Sequence, residues 1–293
     1  MRILLIGNTG QLGWELERTL APLGEVNACD YPQIDLSASS SLRRFIREYA
    51  PDVLVNAAAY TAVDKAESDP DAAQAINAVA PGVLAEEARQ SKAAFIHFST
   101  DYVFDGQKGS PYLETDQPKP LNVYGHSKLA GEQAVQQTGD AYLILRTSWV
   151  YSLRRDSFVN KVLSWARKQT SLKLVSDQVS NPTWCRMLAE VTSQLITSAK
   201  SDPYGWVNQH HGVYHLAGSG YCSRFEWGKE ILKHDPQPDE QLTREILPAL
   251  TNEFPTPARR PLFSALNCDH FFDVFGFKLP DWRFALKLAM ESL

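Results

Sequence analysis

A tyrosine and a lysine four residues apart have the chemistry of a proton-transfer pair. The segment Tyr124-Gly-His-Ser-Lys128 follows Leu121-Asn-Val and predicts a helix that runs to about residue 137. Residues at positions i and i+4 of a helix share a face, so both side chains would meet one ligand. A free tyrosine has a pKa near ~10, and we expect the ammonium of Lys128 to lower that of Tyr124. The pair predicts a general acid, although a solvated helix face gives the same pattern.

Two further polar residues, Thr100 and Asp101, follow a predicted buried strand at residues 93–98. Open α/β sheets bind ligands at the carboxyl ends of their strands. The Thr100 hydroxyl is therefore placed to hydrogen-bond a substrate carbonyl, and Tyr124 is placed to protonate the same oxygen. Together these residues favour the reduction of a carbonyl group.

A glycine run at the start of the chain predicts the site that would hold a dinucleotide. Residues 2–6 form an apolar strand, and Gly7, Gly10 and Gly13 follow it. Gly7 permits a tight turn, Gly10 lets the backbone approach a pyrophosphate, and Gly13 lets the next helix pack on the sheet. That helix, at about residues 11–23, points its N-terminus at the phosphates. The spacing differs from G-x-G-x-x-G, and turns also collect glycine for steric reasons.

The next predicted strand, residues 25–30, ends at Asp30, where an acidic side chain would bind a ribose 2'-hydroxyl. An acid there repels a 2'-phosphate and favours NADH over NADPH, although Asp30 also suits the start of the turn Asp-Tyr-Pro. Lys128 can hold the same cofactor's other ribose. Asp35 and Leu36 could flank an adenine ring. Three alanines after the strand at residues 51–56 leave room for a ligand, although alanine is also common filler; they are Ala57, Ala58 and Ala59.

The order of these elements predicts an α/β fold: a doubly wound parallel sheet of the Rossmann type over residues 1–150. Residues 151–293 would form a smaller mixed α/β region that binds the substrate, with some chain crossing between the two. Its expected helices cover residues 157–168, 184–199, 223–233 and 282 onward, its strands residues 172–175 and 213–216, and the polar stretch 233–240 an exposed connection.

Composition excludes several classes of function. The chain has 293 residues, 44% of them apolar, and a net charge of −5, which argues against general binding to nucleic acid or anionic membranes. We find no signal peptide and no apolar run of the ~18 residues that a membrane span needs, and so predict a cytoplasmic protein. The widely spaced cysteines indicate reduced thiols. No metal is predicted, because the adjacent His210 and His211 point in different directions.

Several blocks of the sequence, taken together, resemble the extended short-chain dehydrogenase/reductases, which act largely on nucleotide sugars. Within them the match narrows to the dTDP-4-dehydrorhamnose reductase family and runs from residue 1 to about residue 267. The blocks are the glycine run, Asn56-Ala-Ala-Ala59, Ala62-Val-Asp-Lys-Ala-Glu67, Ser99-Thr-Asp-Tyr-Val-Phe104, Leu121-Asn-Val-Tyr-Gly125, Lys128-Leu-Ala-Gly-Glu132, Arg146-Thr-Ser-Trp-Val-Tyr151 and Pro255-Thr-Pro-Ala-Arg-Arg-Pro261.

The resemblance implies reduction of the C4 ketone of dTDP-4-dehydro-L-rhamnose to dTDP-L-rhamnose, for polysaccharide synthesis, with NADH or NADPH. It implies that Thr100, Tyr124 and Lys128 are catalytic and that Asp101 and Trp149 contact the substrate. Trp149 also follows the predicted strand at residues 141–147, where a buried core aromatic is the other interpretation. The cofactor residues that it implies are Gly10, Gln11, Leu12, Asp30, Asp35, Leu36, Ala59, Tyr60 and Thr61.

Three positions depart from the family's pattern or leave a role open. Some members dimerise through a divalent metal, and Glu15 stands at one matching position, but Arg186 stands where an acid is expected. Phe263 replaces a family asparagine. Arg260 could bind the substrate diphosphate, since a guanidinium reads phosphate oxygens in a bidentate manner, or could form a surface ion pair. The protein is expected to be a monomer or a homodimer.

Two other functions fit the same residues. Tyr-x-x-x-Lys also serves epimerases, dehydratases and reductases of other nucleotide sugars. The fold also occurs in non-catalytic, nucleotide-binding regulatory subunits, which are free to lose the catalytic residues, although keeping them does not prove turnover.

Overall fold

The computed structural model describes residues 1–291, and within them a parallel sheet of six strands forms the centre of the fold. The strand order is β10-β5-β4-β3-β1-β2, and every neighbouring pair is parallel. The strands are β1 (Arg2–Ile6), β2 (Glu25–Cys29), β3 (Val53–Asn56), β4 (Ala94–Thr100), β5 (Tyr142–Thr147) and β10 (Gly212–His215). The expected doubly wound parallel sheet is confirmed.

Helices cover both faces of this sheet. The first half of the chain contributes α1 (Gln11–Leu20), α2 (Ser39–Tyr49), α3 (Val63–Ala66), α4 (Pro70–Gln74), α5 (Ala80–Ser91) and α6 (Val123–Thr138). A π-helical turn, Ala75–Val79, joins α4 to α5. The second half contributes α7 (Phe158–Ala166), α8 (Cys185–Ser198), α9 (Pro203–Gln209), α10 (Arg224–Lys233), α11 (Asp269–Phe275) and α12 (Trp282–Met290).

Successive side chains of each strand point to opposite faces of the sheet, and this divides the core into two layers. In β1, Ile3 and Leu5 pack with α1 and α8, whereas Leu4 and Ile6 pack with α2 and α5 on the other face. This arrangement follows from the pleat, since successive side chains of a strand point to opposite faces. A sheet covered on both faces needs apolar residues at successive strand positions, which explains the unbroken apolar run of β1.

The remaining strands form three pairs in the second half of the chain. They are β6 (Val150–Tyr151) with β9 (Thr183–Trp184), β7 (Ser171–Val175) with β12 (Glu245–Ala249), and β8 (Val179–Ser180) with β11 (Cys222–Ser223). The β8–β11 pair is antiparallel and the other two are parallel.

The second half of the chain also builds part of the central sheet. We had placed a strand at 213–216 in the substrate-binding region, but β10 pairs in parallel with β5 at the sheet's edge. Helix α8 packs on α1: Thr19 Oγ1 donates to the Ala189 carbonyl at 3.2 Å, and Ser193 Oγ donates to the Thr19 carbonyl at 3.0 Å. The crossing of the chain is therefore extensive, because a strand and a helix from beyond residue 150 complete the central sheet and the helical layer that contains α1.

Candidate functional site

A cavity of about 610 Å³ opens where β1, β3, β4 and β5 end. It lies at the switch in strand order between β1 and β3, where such sheets form their ligand crevice. It brings together most of the site residues that the sequence predicted: Gly7, Gly10, Gln11, Leu12, Asp30, Ala57, Ala58, Ala59, Thr61, Thr100, Asp101, Tyr124, Lys128 and Trp149.

The glycine run forms a backbone cradle at one wall of this cavity. Gly7 has φ +95°, and a Cβ there would lie 2.6 Å from the Ala58 nitrogen, so only glycine fits. A Cβ on Gly13 would lie 2.0 Å from the Gly7 carbonyl oxygen, which explains how close α1 comes to the loop. Gly10 caps α1 without a side-chain hydrogen bond, and the buried Gln11 Oε1 has no partner. The N-terminus of α1 suits the pyrophosphate of a dinucleotide, because it offers free N–H donors, whereas Gln11 Oε1 can only accept a hydrogen bond.

Asp30 lies in the cavity wall directly after β2. Its Oδ2 accepts hydrogen bonds from the Thr9 hydroxyl and the Thr9 backbone N–H, while its Oδ1 accepts from the Tyr31 N–H at 2.8 Å. The carboxylate therefore faces the cavity and also opens the turn. Binding a ribose and starting the turn Asp-Tyr-Pro, the two interpretations of Asp30 from the sequence, are therefore compatible in this geometry.

Some of the expected cofactor residues lie outside the cavity lining. Gly13 packs behind the loop. Asp35 Oδ1 accepts from the Ser37 N–H and hydroxyl, which lowers the pKa of Asp35, and Leu36 is buried in the core on the α2 side. The Tyr60 hydroxyl donates to Asp69 Oδ2 at 3.2 Å. Their roles in binding adenine or nicotinamide remain predictions.

Tyr124 stands in the first turn of α6, which begins where Asn122 Oδ1 accepts from the Gly125 N–H at 2.7 Å. The expected effect of Lys128 on Tyr124 is wrong for this structure: burial raises the pKa of Tyr124 instead of lowering it, and a hydrogen bond with Thr100 only partly opposes the rise. Desolvation disfavours the phenolate. Tyr124 is accordingly a protonated phenol at neutral pH.

Lys128 shares the cavity with Tyr124, but its ammonium contacts other groups. Nζ donates to the Phe98 carbonyl oxygen at 2.7 Å and lies 3.5 Å from His97 Nε2. The side chain is buried, and burial lowers the pKa of Lys128 to about 8, opposed by the negative charge of Glu132. His97 is held in turn by Asn56, whose Nδ2 lies 3.2 Å from His97 Nδ1. Contacts from β3 and β4 thus fix the position of Lys128.

Thr100 and Asp101 end β4 beneath Tyr124. Thr100 Oγ1 accepts from the Tyr102 N–H and donates to Asp101 Oδ1, both at 3.2 Å. Asp101 is 2% exposed, and its Oδ2 accepts from Ser180 and Ser264. Burial raises the pKa of Asp101 to about 6 despite these hydrogen bonds.

Trp149 lines the cavity, and its backbone φ is +39°. Residues other than glycine rarely adopt a positive φ, and those that do are concentrated at functional sites. The Trp149 ring stacks on Trp227, with centroids 5.5 Å apart. Arg260, by contrast, lies outside the lining and forms a bidentate pair with Asp64 at 2.7 and 3.1 Å. The diphosphate role of Arg260 remains a prediction.

Sequence reasoning missed several residues of this cavity. Thr147 ends β5, and its buried hydroxyl has no partner; the rule that drew attention to Thr100 would have found it. Asn77, in the π-helical turn, lies outside the lining but bonds both the N–H and the carbonyl of Tyr60, next to the lining residue Thr61, and donates to Ser127 of α6. No local pattern marks that role. The other missed lining residues are Thr9, Phe98, Ser148, Val150, Arg155 and Asp156.

Other sequence expectations concern metals, thiols and membranes. Within residues 1–291, no group of three or more His, Cys, Asp or Glu side chains could hold a metal ion. His210 and His211 each contact a backbone carbonyl. The four cysteines are free, as expected, and three of them are buried. No helix in the described part of the chain is long and apolar enough to cross a bilayer. Arg186 pairs with Glu190 at 3.0 Å.

The parallel sheet, the glycine cradle and the Thr-Tyr-Lys group place this chain among the nicotinamide-dependent oxidoreductases of the extended short-chain type. Comparison with known proteins narrows this class. A family model described as the RmlD substrate binding domain matches residues 1–293, and the chain belongs to that family.

Named relatives agree over the full length. The chain is 42% identical to a dTDP-4-dehydrorhamnose reductase of Burkholderia thailandensis, covering 100% of this chain and 99% of the relative. It superposes with a TM-score of 0.90 on the crystal structure of a dTDP-4-dehydrorhamnose reductase from Clostridium acetobutylicum, at 33% identity, covering 100% of this chain and 99% of that one. A Bacillus anthracis dTDP-4-dehydrorhamnose reductase in complex with NADP gives the same TM-score and coverage at 31% identity.

Proposed function

We propose that this protein reduces the C4 ketone of dTDP-4-dehydro-L-rhamnose to dTDP-L-rhamnose, with Tyr124 as the proton donor. The observation that carries the proposal is that Thr100, Tyr124 and Lys128 line one cavity with the glycine cradle. The names of the relatives support the choice of substrate.

The cofactor's part of this reaction is simple: a bound reduced nicotinamide supplies hydride to the carbonyl carbon. The protein's part is to hold the carbonyl oxygen and to protonate it as charge develops there. Tyr124 suits this task because its phenol is protonated at neutral pH and can donate that proton to the more basic alkoxide oxygen that hydride transfer creates. The Thr100 hydroxyl can orient the same oxygen through a hydrogen bond.

Lys128 has a supporting role in the proposal. Its ammonium uses one N–H group in the hydrogen bond to the Phe98 carbonyl and has further N–H donors for a cofactor ribose. Asp30 would receive the other ribose, through the carboxylate that Thr9 orients.

The test compares Tyr124→Phe with Tyr151→Phe. Tyr151 is fully buried and its hydroxyl has no hydrogen-bond partner, so removing that hydroxyl is a matched control. With NADPH or NADH and freshly generated dTDP-4-dehydro-L-rhamnose, we expect Tyr124→Phe to lower kcat by roughly 10²- to 10⁴-fold, the usual contribution of a general acid. We expect Tyr151→Phe to change kcat by less than about 3-fold, since no hydrogen bond is lost.

Three outcomes separate the alternatives. Oxidation of the nicotinamide that depends on this sugar and is lost only in Tyr124→Phe supports both the substrate and the acid. Unchanged turnover in Tyr124→Phe refutes the acid. A wild-type protein that binds NADPH or NADH but never oxidises it with this sugar refutes the substrate, and favours another nucleotide sugar or a regulatory role.

A further inference from the structure

Arg224 presents a guanidinium that the mechanism above does not use. It is the first residue of α10 and lies partly buried among aromatic rings. Its guanidinium carbon is 3.6 Å from the ring centroid of Trp149, 4.8 Å from that of Phe158 and 5.4 Å from that of Trp227. Arg224 is not itself a lining residue, but it stacks on Trp149, which lines the cavity, so its positive charge lies next to a lining side chain.

The charge has no anionic partner in the part of the chain that the structure describes. Within residues 1–291 the Arg224 side chain forms no hydrogen bond or ion pair, and only its backbone N–H is bonded, to the Gln178 carbonyl at 3.2 Å. Burial lowers the pKa of Arg224 to about 10, and the charges of Tyr102 and Asp101 oppose this shift only in part. A half-buried guanidinium without an acceptor is costly unless a ligand supplies one.

The neighbouring carboxylates explain why Arg224 is left without a partner. Asp64 is taken by Arg260, which holds both of its oxygens. Asp101 is near enough for its charge to act on Arg224, but its Oδ2 accepts from Ser180 and Ser264 and its Oδ1 from Thr100. Arg260 also lies near enough to repel Arg224. An anionic ligand beside Arg224 would therefore be electrostatically favourable.

We infer that Arg224 binds the diphosphate of the nucleotide-sugar substrate, with Trp149, Phe158 and Trp227 holding its guanidinium in place. The inference rests on the proposed function, which supplies a substrate with two adjacent phosphates. A guanidinium presents paired N–H donors that match phosphate oxygens, and stacking on aromatic rings reduces the conformational freedom that binding would otherwise remove. In this arrangement Arg224 takes the role that the sequence suggested for Arg260.

The experiment measures the dissociation constant of dTDP, and of thymidine as the phosphate-free probe, by calorimetry with NADP⁺ present. The variants are Arg224→Gln and Arg224→Lys. The control is Arg283→Gln, because Arg283 also lies over a tryptophan, 4.3 Å from the Trp282 ring centroid, but Trp282 does not line the cavity, whereas Trp149 does. We expect Arg224→Gln to weaken dTDP binding by roughly 10- to 100-fold, the loss of a hydrogen bond to a charged group. Thymidine and NADP⁺ binding should be unchanged.

Arg224→Lys keeps the positive charge but loses the paired N–H donors of the guanidinium. Its dissociation constant for dTDP should therefore fall between those of the wild type and Arg224→Gln. If Arg224→Gln fails to fold, as loss of NADP⁺ binding would reveal, the lysine variant decides by the same comparison. Equal dTDP affinity in wild type and variant, or no binding of dTDP by the wild type, overturns the inference.

The two proposals can fail separately. Loss of dTDP affinity in Arg224→Gln, in a protein that does not reduce dTDP-4-dehydro-L-rhamnose, supports the diphosphate site and refutes the proposed substrate. Reduction of that sugar by the wild type, together with unchanged dTDP affinity in Arg224→Gln, supports the proposed substrate and refutes the diphosphate site.

Discussion

The ion pair between Glu132 and Arg146 joins α6 to β5 in the interior, and we expect Glu132→Gln to be strongly destabilising. Glu132 follows Lys128 by one turn of α6. Arg146 of β5 donates to its carboxylate through Nη2 at 2.6 Å and Nε at 2.9 Å, and Ser99 of β4 donates to it as well. The two side chains are 1% and 4% exposed.

The size of the effect follows from this burial. Removing one partner of a buried pair leaves the other charge uncompensated and costs about 3–5 kcal/mol. The glutamine oxygen can still accept one hydrogen bond, so we expect the free energy of unfolding to fall by about 3 kcal/mol, at the lower end of that range.

The assay is denaturant unfolding of both Glu132→Gln and a matched variant, Glu190→Gln. Glu190 pairs with Arg186 on the surface, where the side chains are 39% and 52% exposed. Exposed pairs contribute little, so Glu190→Gln should cost less than about 1 kcal/mol. Equal losses in the two variants would show that the Glu132 pair is not the brace between α6, β4 and β5 that its geometry indicates.

Two further predictions concern the cavity wall. Asp30→Ala should weaken NADH binding and shift the ratio of NADH to NADPH affinity towards NADPH, because it removes a carboxylate that repels a 2'-phosphate; an unchanged ratio in titrations of both cofactors would remove Asp30 from the ribose site. Asp101→Asn should remove a pH dependence of stability. The folded pKa of Asp101 is about 6, above its unfolded value near ~3.9, so the wild type loses stability as the pH rises from about 4 to about 6, by on the order of 1.4 kcal/mol per unit of pKa difference. Unfolding curves of both proteins across that range should diverge, and parallel curves would contradict the reasoning.

The sequence predicted the parallel sheet and the position of the cavity well, for local reasons. Buried parallel strands appear as unbroken apolar runs, and the polar residues that end them, such as Thr100, mark the ligand edge. The spacing of Tyr124 and Lys128 placed both on one face of α6, as the shared cavity confirms.

What the sequence could not predict depends on contacts between distant residues. The pKa of Tyr124 is set by burial against other elements, so the i, i+4 spacing to Lys128 predicted the wrong direction. Arg260 meets Asp64 across 196 positions of sequence. Segments 63–91 and 203–209 are helical, but we assigned no element to them, because the π-helical turn around Asn77 and the small helix α9 lack a long amphipathic repeat.

The position of β10 has a consequence for how the chain is made. A ribosome releases the N-terminal end first, and domains that are contiguous in sequence can fold as they emerge. Here β5 gains its outer neighbour only when residues 212–215 have been synthesised, and α1 gains α8 only after residue 198. Until then the nascent chain carries a sheet with an open edge, which is prone to pair with other chains. The central sheet and its helical cover are therefore completed only after residue 212 of the chain has been made.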